Sequence, residues 1–216
     1  MLSTFLFDLD GTLIDSIELI LRSYRHTMQV HRAGHPLPPD DVWMKGLGTP
    51  LWVQFRDWTQ DEAEIQAMVA TYREYNLAHH DRMVRPYDGV VAQVLRLKLQ
   101  KKRLGLVTSK LKSGALRGLR VSGLEEAFTV VVGSDDVTHP KPHPEPVLKA
   151  LDLLGARPEE TVFIGDSRHD IECGAAAGVK TAAVLWGPFD RKHLEDLAPD
   201  YWLETPNDIS SLTPDT

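Results

Sequence analysis

Residues Phe5 to Ser16 read FLFDLDGTLIDS, and the reading of this stretch decides the fold. A short apolar run passes straight into two carboxylates, Asp8 and Asp10, one residue apart, and then into Gly11. A run this short and apolar, closed by a glycine turn, predicts a strand over Thr4–Phe7 buried on both faces. Similar runs recur at Leu104–Val107, Val130–Val132, Val162–Ile164 and Thr181–Leu185, with helical periodicity between most of them. Strands alternating with helices predict an α/β fold, a doubly wound, Rossmann-like parallel sheet. One interval breaks the alternation. From Asp15 to Val84 the pattern is helical only, with one stripe at Ile17, Ile20, Leu21, Tyr24 and Met28 and another at Ile65, Met68, Val69 and Tyr72. Thr59 and Glu62 have the spacing of a capping box for the second stripe. Arg85–Pro86 marks the exit, because a proline disfavours helix in the residue before it. The expected organisation is a core of residues 1–15 and 84–216 with a helical domain, 16–83, inserted after the first strand.

Composition narrows the possibilities. The chain has 216 residues, 42% hydrophobic and 25% charged, enough for a folded core and close to the globular average. Cys173 is the only cysteine, so no internal disulfide and no thiolate metal cage is possible. A net charge of -7 opposes general binding to nucleic acid or to an acidic membrane surface. No apolar run reaches the roughly 18 residues of a membrane span, and the N-terminus lacks the order of a secretory signal. The expected setting is the cytoplasm, as a monomer or homodimer.

Ligands of an open parallel sheet bind beyond the carboxyl ends of its strands. The first strand ends in Asp8-Leu9-Asp10-Gly11-Thr12, the second in Thr108-Ser109-Lys110 and the fourth in Gly165-Asp166-Ser167, followed by Asp170. After the third comes THPKPHPEP, which carries Lys141. Clustered carboxylates repel unless a cation joins them, and oxygen ligands from Asp8 and Asp166 suit Mg²⁺ better than a softer metal. Such a cation invites a small anionic phosphate. Of two neighbouring carboxylates, one can attack phosphorus while the other moves protons. A hydroxyl at Thr108 and an ammonium at Lys141 can stabilise the charge of the transferring group.

In this order DLDGT, the threonine of LVTSK, the lysine of HPKPHP, and GDSRHD resemble the four motifs of the haloacid dehalogenase superfamily of phosphohydrolases, and the resemblance spans essentially the whole chain. It implies Asp8 as nucleophile and Asp10 as general acid/base. It further implies Mg²⁺ held by Asp8, the Asp10 backbone carbonyl and Asp166, with Asp170 supporting the metal. Thr108, Ser109 and Lys141 would meet the phosphate, and the helical insertion would be a cap. The second aspartate separates the chain from the family's true dehalogenases. ELILRSYRHTM, YREYNLAHHD, SDDV and GVKTAAVLWG further resemble the branch of phosphoglycolate phosphatases and small inorganic pyrophosphatases. In that branch KGLGTPL, Lys45 to Leu51, corresponds to a substrate-specificity loop, which makes Lys45 a candidate for a second anionic group.

Other readings compete. Thr108 alone reads as a strand-end cap, Asp166 as a helix N-cap and Asp170 as a complement to a helix dipole. Among the nine histidines, His31 and His35 lie where a helix ends, His79 and His80 diverge on any helix, and His139 and His143 straddle prolines, so none predicts a zinc site. Trp43, Trp52 and Trp58 read as packing residues. No phosphate loop of the GxxxxGK[ST] kind occurs. A receiver-like phospho-aspartate signalling module and a phosphomutase on a sugar phosphate remain as alternatives to a phosphatase, although a receiver requires neither Asp10 nor the insertion.

Overall fold

The computed structural model describes residues 1–213. Six parallel strands form one sheet in the order Val130–Val132 (β5), Arg103–Val107 (β4), Thr4–Phe7 (β1), Thr161–Gly165 (β6), Lys180–Val184 (β7) and Tyr201–Leu203 (β8). The stretch that opens the sequence is therefore central, with Phe5 paired to Leu104 on one side and Val162 on the other. All four residues of β1 are buried. Successive side chains of a strand point to opposite faces. Phe5 and Phe7 accordingly join one apolar cluster with Leu106, Ile164 and Val94, whereas Leu6 joins a second with Phe163, Val147 and Leu151. Val94 lies on α5 (Val90–Leu99), and Val147 and Leu151 on α7 (Glu145–Leu154), so helices cover both faces. The α/β fold expected from the sequence is the observed one.

β8 was not anticipated. Of its three residues only Leu203 is buried, and the strand pairs only with β7. Its apolar run, Tyr201-Trp202-Leu203, is only three residues long and sits between turn residues, Pro199-Asp200 before it and Thr205-Pro206 after it.

Between Ile14–Asp15 (β2) and Arg85–Pro86 (β3) the chain is helical: α1 (Ile17–His31), α2 (Asp40–Met44), α3 (Leu51–Phe55) and α4 (Glu62–Met83). β2 and β3 pair with each other, Ile14 with Pro86 and Asp15 with Arg85, so the chain leaves and returns at one place. Both sequence stripes face inward. Ile20, Tyr24 and Met28 of α1 and Ile65, Met68, Val69 and Tyr72 of α4 share a cluster with Trp43 and Phe55, while Ile17 and Leu21 pack against its edge. Trp43 stacks on Tyr24 with ring centroids 4.0 Å apart. The helix start differs from the expected capping box. Asp61, not Thr59, caps α4, its carboxylate accepting the Ala63 N–H at 2.8 Å. A carboxylate next to the first turn also complements the helix dipole, which a threonine two residues earlier cannot do.

Candidate active site

The Asp8 N–H donates to the Ile164 carbonyl at 2.9 Å, carrying the pairing of β1 and β6 one residue past the strand. The chain then turns, and the Leu9 carbonyl accepts from Leu13 (2.9 Å) and Ile14 (3.0 Å). Gly11 makes this turn at φ +87°, and a Cβ there would lie 2.5 Å from Asp166 Oδ2. Only glycine permits both the left-handed backbone and the approach of Asp166.

Lys141 reaches this point from the loop before α7. Its buried ammonium donates to Asp8 Oδ1 at 2.9 Å and to Asp170 Oδ1 at 2.6 Å. The other Asp170 oxygen accepts the Ser167 N–H (3.0 Å) and hydroxyl (2.6 Å). Asp170 thus holds Lys141 with one oxygen and the start of α8 (Arg168–Ala176) with the other. Ser167, rather than Asp166, is the N-cap of that helix. Asp166 is free of capping. Its Oδ1 accepts the Thr12 hydroxyl at 2.8 Å, and its Oδ2 is buried with no hydrogen-bond partner.

One oxygen each from Asp8, Asp166 and Asp170 lies within 4.8 Å of the others, all three residues buried. Burial, reinforced by the charges of Asp170 and Asp8, pushes the Asp166 carboxyl well above its usual range. Burial also pushes Asp8 up to about 7, although Lys141 opposes it. Three oxygen donors around an orphaned carboxylate oxygen fit a hard divalent cation such as Mg²⁺, whose charge would compensate the repulsion.

Asp10 faces different partners. It accepts from the Ser16 hydroxyl at 2.6 Å and from Lys110 Nζ at 2.8 Å. Burial alone would raise its carboxyl, but Lys110 and Ser16 outweigh that and hold it below the ordinary value. Lys110 is a site residue that motif reading passed over. Its signal was a cation directly after Thr108-Ser109 at a strand end. Thr108 is buried, and its hydroxyl accepts the Lys110 N–H at 3.3 Å. The Ser109 hydroxyl does not stay free for a ligand. It donates to the Gly48 carbonyl, joining the sheet edge to the loop between α2 and α3.

Asp8, Asp10, Thr108, Ser109, Lys110, Lys141 and Asp166 all line one cavity of about 170 Å³. Its opposite wall belongs to the helices and carries Trp43, Leu47, Leu51, Trp52 and Arg73. Lys45 is not among the lining residues. It is exposed at the C-cap of α2. The cation on the helical wall is instead Arg73 of α4, half-buried and without a hydrogen bond or ion pair among the described residues. Burial lowers its pKa, and the charge of Asp135 only partly opposes this. Its segment YREYNLAHHD carries part of the branch resemblance, but no local pattern marks Arg73 itself as facing a ligand, since it lies between polar and aromatic residues on a long helix.

Residues 5–184 match the model of the family described as haloacid dehalogenase-like hydrolase. The chain belongs to this family. Among haloacid dehalogenase-like relatives, it is 43% identical to pyrophosphatase PpaX of Halalkalibacterium halodurans over 98% of this chain and 96% of the relative. It is 44% identical to pyrophosphatase PpaX of Bacillus cereus over 96% and 94% respectively. The crystal structure of a haloacid dehalogenase-like hydrolase from Bacteroides fragilis superposes with a TM-score of 0.88 at 29% identity, covering 95% of this chain and 98% of the other. The protein is a phosphohydrolase of the haloacid dehalogenase-like family, and no described helix is long and apolar enough to cross a membrane.

Proposed function

We propose that the protein hydrolyses inorganic pyrophosphate in a Mg²⁺-dependent reaction through an aspartyl-phosphate. The observation that carries the mechanism is the meeting of Asp8, Asp166 and Asp170 around Lys141 at the floor of a cavity. Mg²⁺ held by Asp8, the Asp10 carbonyl and Asp166 would supply charge neutralisation for the phosphoryl group and keep Asp8 ionised. An oxygen of Asp8 attacks phosphorus, and the bond to the bridging oxygen breaks. Lys141 and the Thr108 hydroxyl hold the equatorial oxygens, where charge accumulates. Water then attacks the acyl phosphate, giving its proton to Asp10 and restoring the Asp8 carboxylate.

Two features favour pyrophosphate over a phosphomonoester such as phosphoglycolate. A phosphate leaving group titrates near neutrality and departs without taking a proton, whereas an alkoxide must be protonated as it leaves. Asp10, held ionised by Lys110, suits the base step more than the acid step. Arg73, on the wall opposite the carboxylates and without an ion pair among the described residues, suits a second phosphoryl group. The helices over the cavity act as a cap, residues 16–83 being inserted into a core of 1–15 and 84–216, of which 214–216 lie outside the described residues. Relatives named pyrophosphatases at 43% identity support the same choice.

The test is phosphate release with Mg²⁺ or with chelator, comparing pyrophosphate, phosphoglycolate and sugar phosphates. A preference for pyrophosphate that vanishes with chelator is expected. Equal or better turnover of phosphoglycolate would replace the substrate, and isomerised sugar phosphate without free phosphate would indicate a mutase.

A further inference from the structure

The loop that delivers Lys141 to the floor of the cavity carries a second set of ligating side chains on its exposed side. His139 and His143 stand two residues before and after Lys141, and Glu145 opens α7. In the sequence, the intervening prolines argued against a shared site. In the fold they turn the chain so that the two imidazole rings lie 4.7 Å apart, centroid to centroid, at 36°. His139 Nδ1 is 2.9 Å from Glu145 Oε2. One ring nitrogen of each histidine and one Glu145 oxygen fall within 4.8 Å of one another. The carboxylate is fixed before any ligand arrives, because Oε1 accepts the Thr138 N–H at 2.8 Å and Oε2 the His139 N–H at 2.9 Å. These backbone donors and His139 bring its pKa down to about 2, so it is ionised at neutral pH.

We infer that His139, His143 and Glu145 form a binding site for one divalent transition-metal ion of the Zn²⁺ or Ni²⁺ type, separate from the carboxylate cluster at Asp8. Two imidazoles and a carboxylate select such ions over Mg²⁺, which prefers an all-oxygen shell. The 2.9 Å between His139 Nδ1 and Glu145 Oε2 is the span of two ligands bonded to one ion at about 2.0–2.2 Å each. The ion takes the place of the proton now shared by that pair, which moves to Nε2 of the same ring or to solvent. His143 closes the third side by turning its exposed ring, giving up only the 3.2 Å bond it accepts from the Glu145 N–H. Remaining positions stay open to water. Because the ligands flank Lys141, an ion here would brace the loop from outside.

Isothermal calorimetry of the full chain, saturated with Mg²⁺ and titrated with Ni²⁺, tests the site. His139→Ala and His143→Ala are each expected to weaken one Ni²⁺ site by about tenfold or more, with circular dichroism and melting temperature unchanged. Any Ni²⁺ bound at the carboxylate cluster persists in both variants, so the expected readout is weaker binding of one ion per chain. Absence of Ni²⁺ binding to the wild-type chain, or stoichiometry and affinity that survive both substitutions, would overturn the inference.

Discussion

Across the cavity, the strand-end wall and the helical wall hold their side chains in different ways. On the strand side every charged group has a partner: Lys141 with Asp8 and Asp170, Lys110 with Asp10, and Thr12 with Asp166. On the helical side Trp43 stacks in an aromatic cluster, Leu47 and Leu51 present hydrocarbon, and Arg73 carries a cation with no hydrogen bond or ion pair among the described residues. Bond-making needs groups fixed in advance, because reorganising them costs energy in the transition state. Choosing a substrate needs only a shape and a charge left unanswered until the substrate supplies its complement.

This contrast breaks if substitutions on the two walls have the same consequences. The largest effect is expected from Asp8→Asn, which keeps the shape and removes the proposed nucleophile. It should lower turnover of every substrate by roughly 10⁴-fold or more, and comparable activity in a preparation free of deamidation would remove Asp8 from the mechanism. Lys141→Ala should lower kcat/KM by about 2–4 kcal/mol of transition-state stabilisation, again for all substrates. It should also lower the melting temperature, since Asp8 and Asp170 would then face each other uncompensated. Steady-state kinetics with pyrophosphate and with p-nitrophenyl phosphate measure the first, and thermal denaturation the second. Arg73→Ala should act on choice alone. Losing one charge-assisted contact of about 1.5 kcal/mol raises KM for pyrophosphate about tenfold and leaves p-nitrophenyl phosphate untouched. A uniform loss for both substrates would place Arg73 with the strand-end groups.

The smallest effect concerns stability. Asp8 is raised from 3.8 to about 7 by burial against the opposition of Lys141. A raised carboxyl contributes stability fully below its unfolded value, and that contribution is lost as pH rises through the folded one. The metal-free protein should therefore lose stability between about pH 4 and pH 7 on account of this group. Mg²⁺, by compensating the ionised carboxylate, should raise the melting temperature more near pH 8 than near pH 6. Equal shifts at the two pH values would separate Asp8 from the cation.

The same contrast governs what could be read from sequence. Strand-end groups occupy fixed offsets from short apolar runs, so Asp8, Thr108 and Asp166 were legible once the strands were, and the sheet brings them together. Lys141 was legible as a cation in the loop after the third strand, and the motif order made it a site candidate, since a proline-flanked loop carries no periodicity. The partners of these groups were less visible. Lys110 and Ser16 act on Asp10 through contacts 100 and 6 residues away in the chain, and neither distance leaves a local pattern. The helical wall was legible as packing but not as specificity. Apolar spacing placed Ile65, Met68 and Tyr72 in the interior of the helices, yet which polar residue overlooks the cavity depends on how α4 sits over the sheet. Lys45 stands in a loop whose Leu47 and Gly48 do line the cavity, while the cation on the cavity wall is Arg73 of α4.

The pairing of β2 with β3 has a topological corollary. Asp15 and Arg85 lie side by side, so the backbone detours into the helices and rejoins almost where it departed, and none of the six sheet strands falls inside the detour. A short turn bridging those two residues would preserve every neighbour relationship in the sheet. The groups on the sheet edge can therefore keep their places while the excursion above them is lengthened, shortened or exchanged.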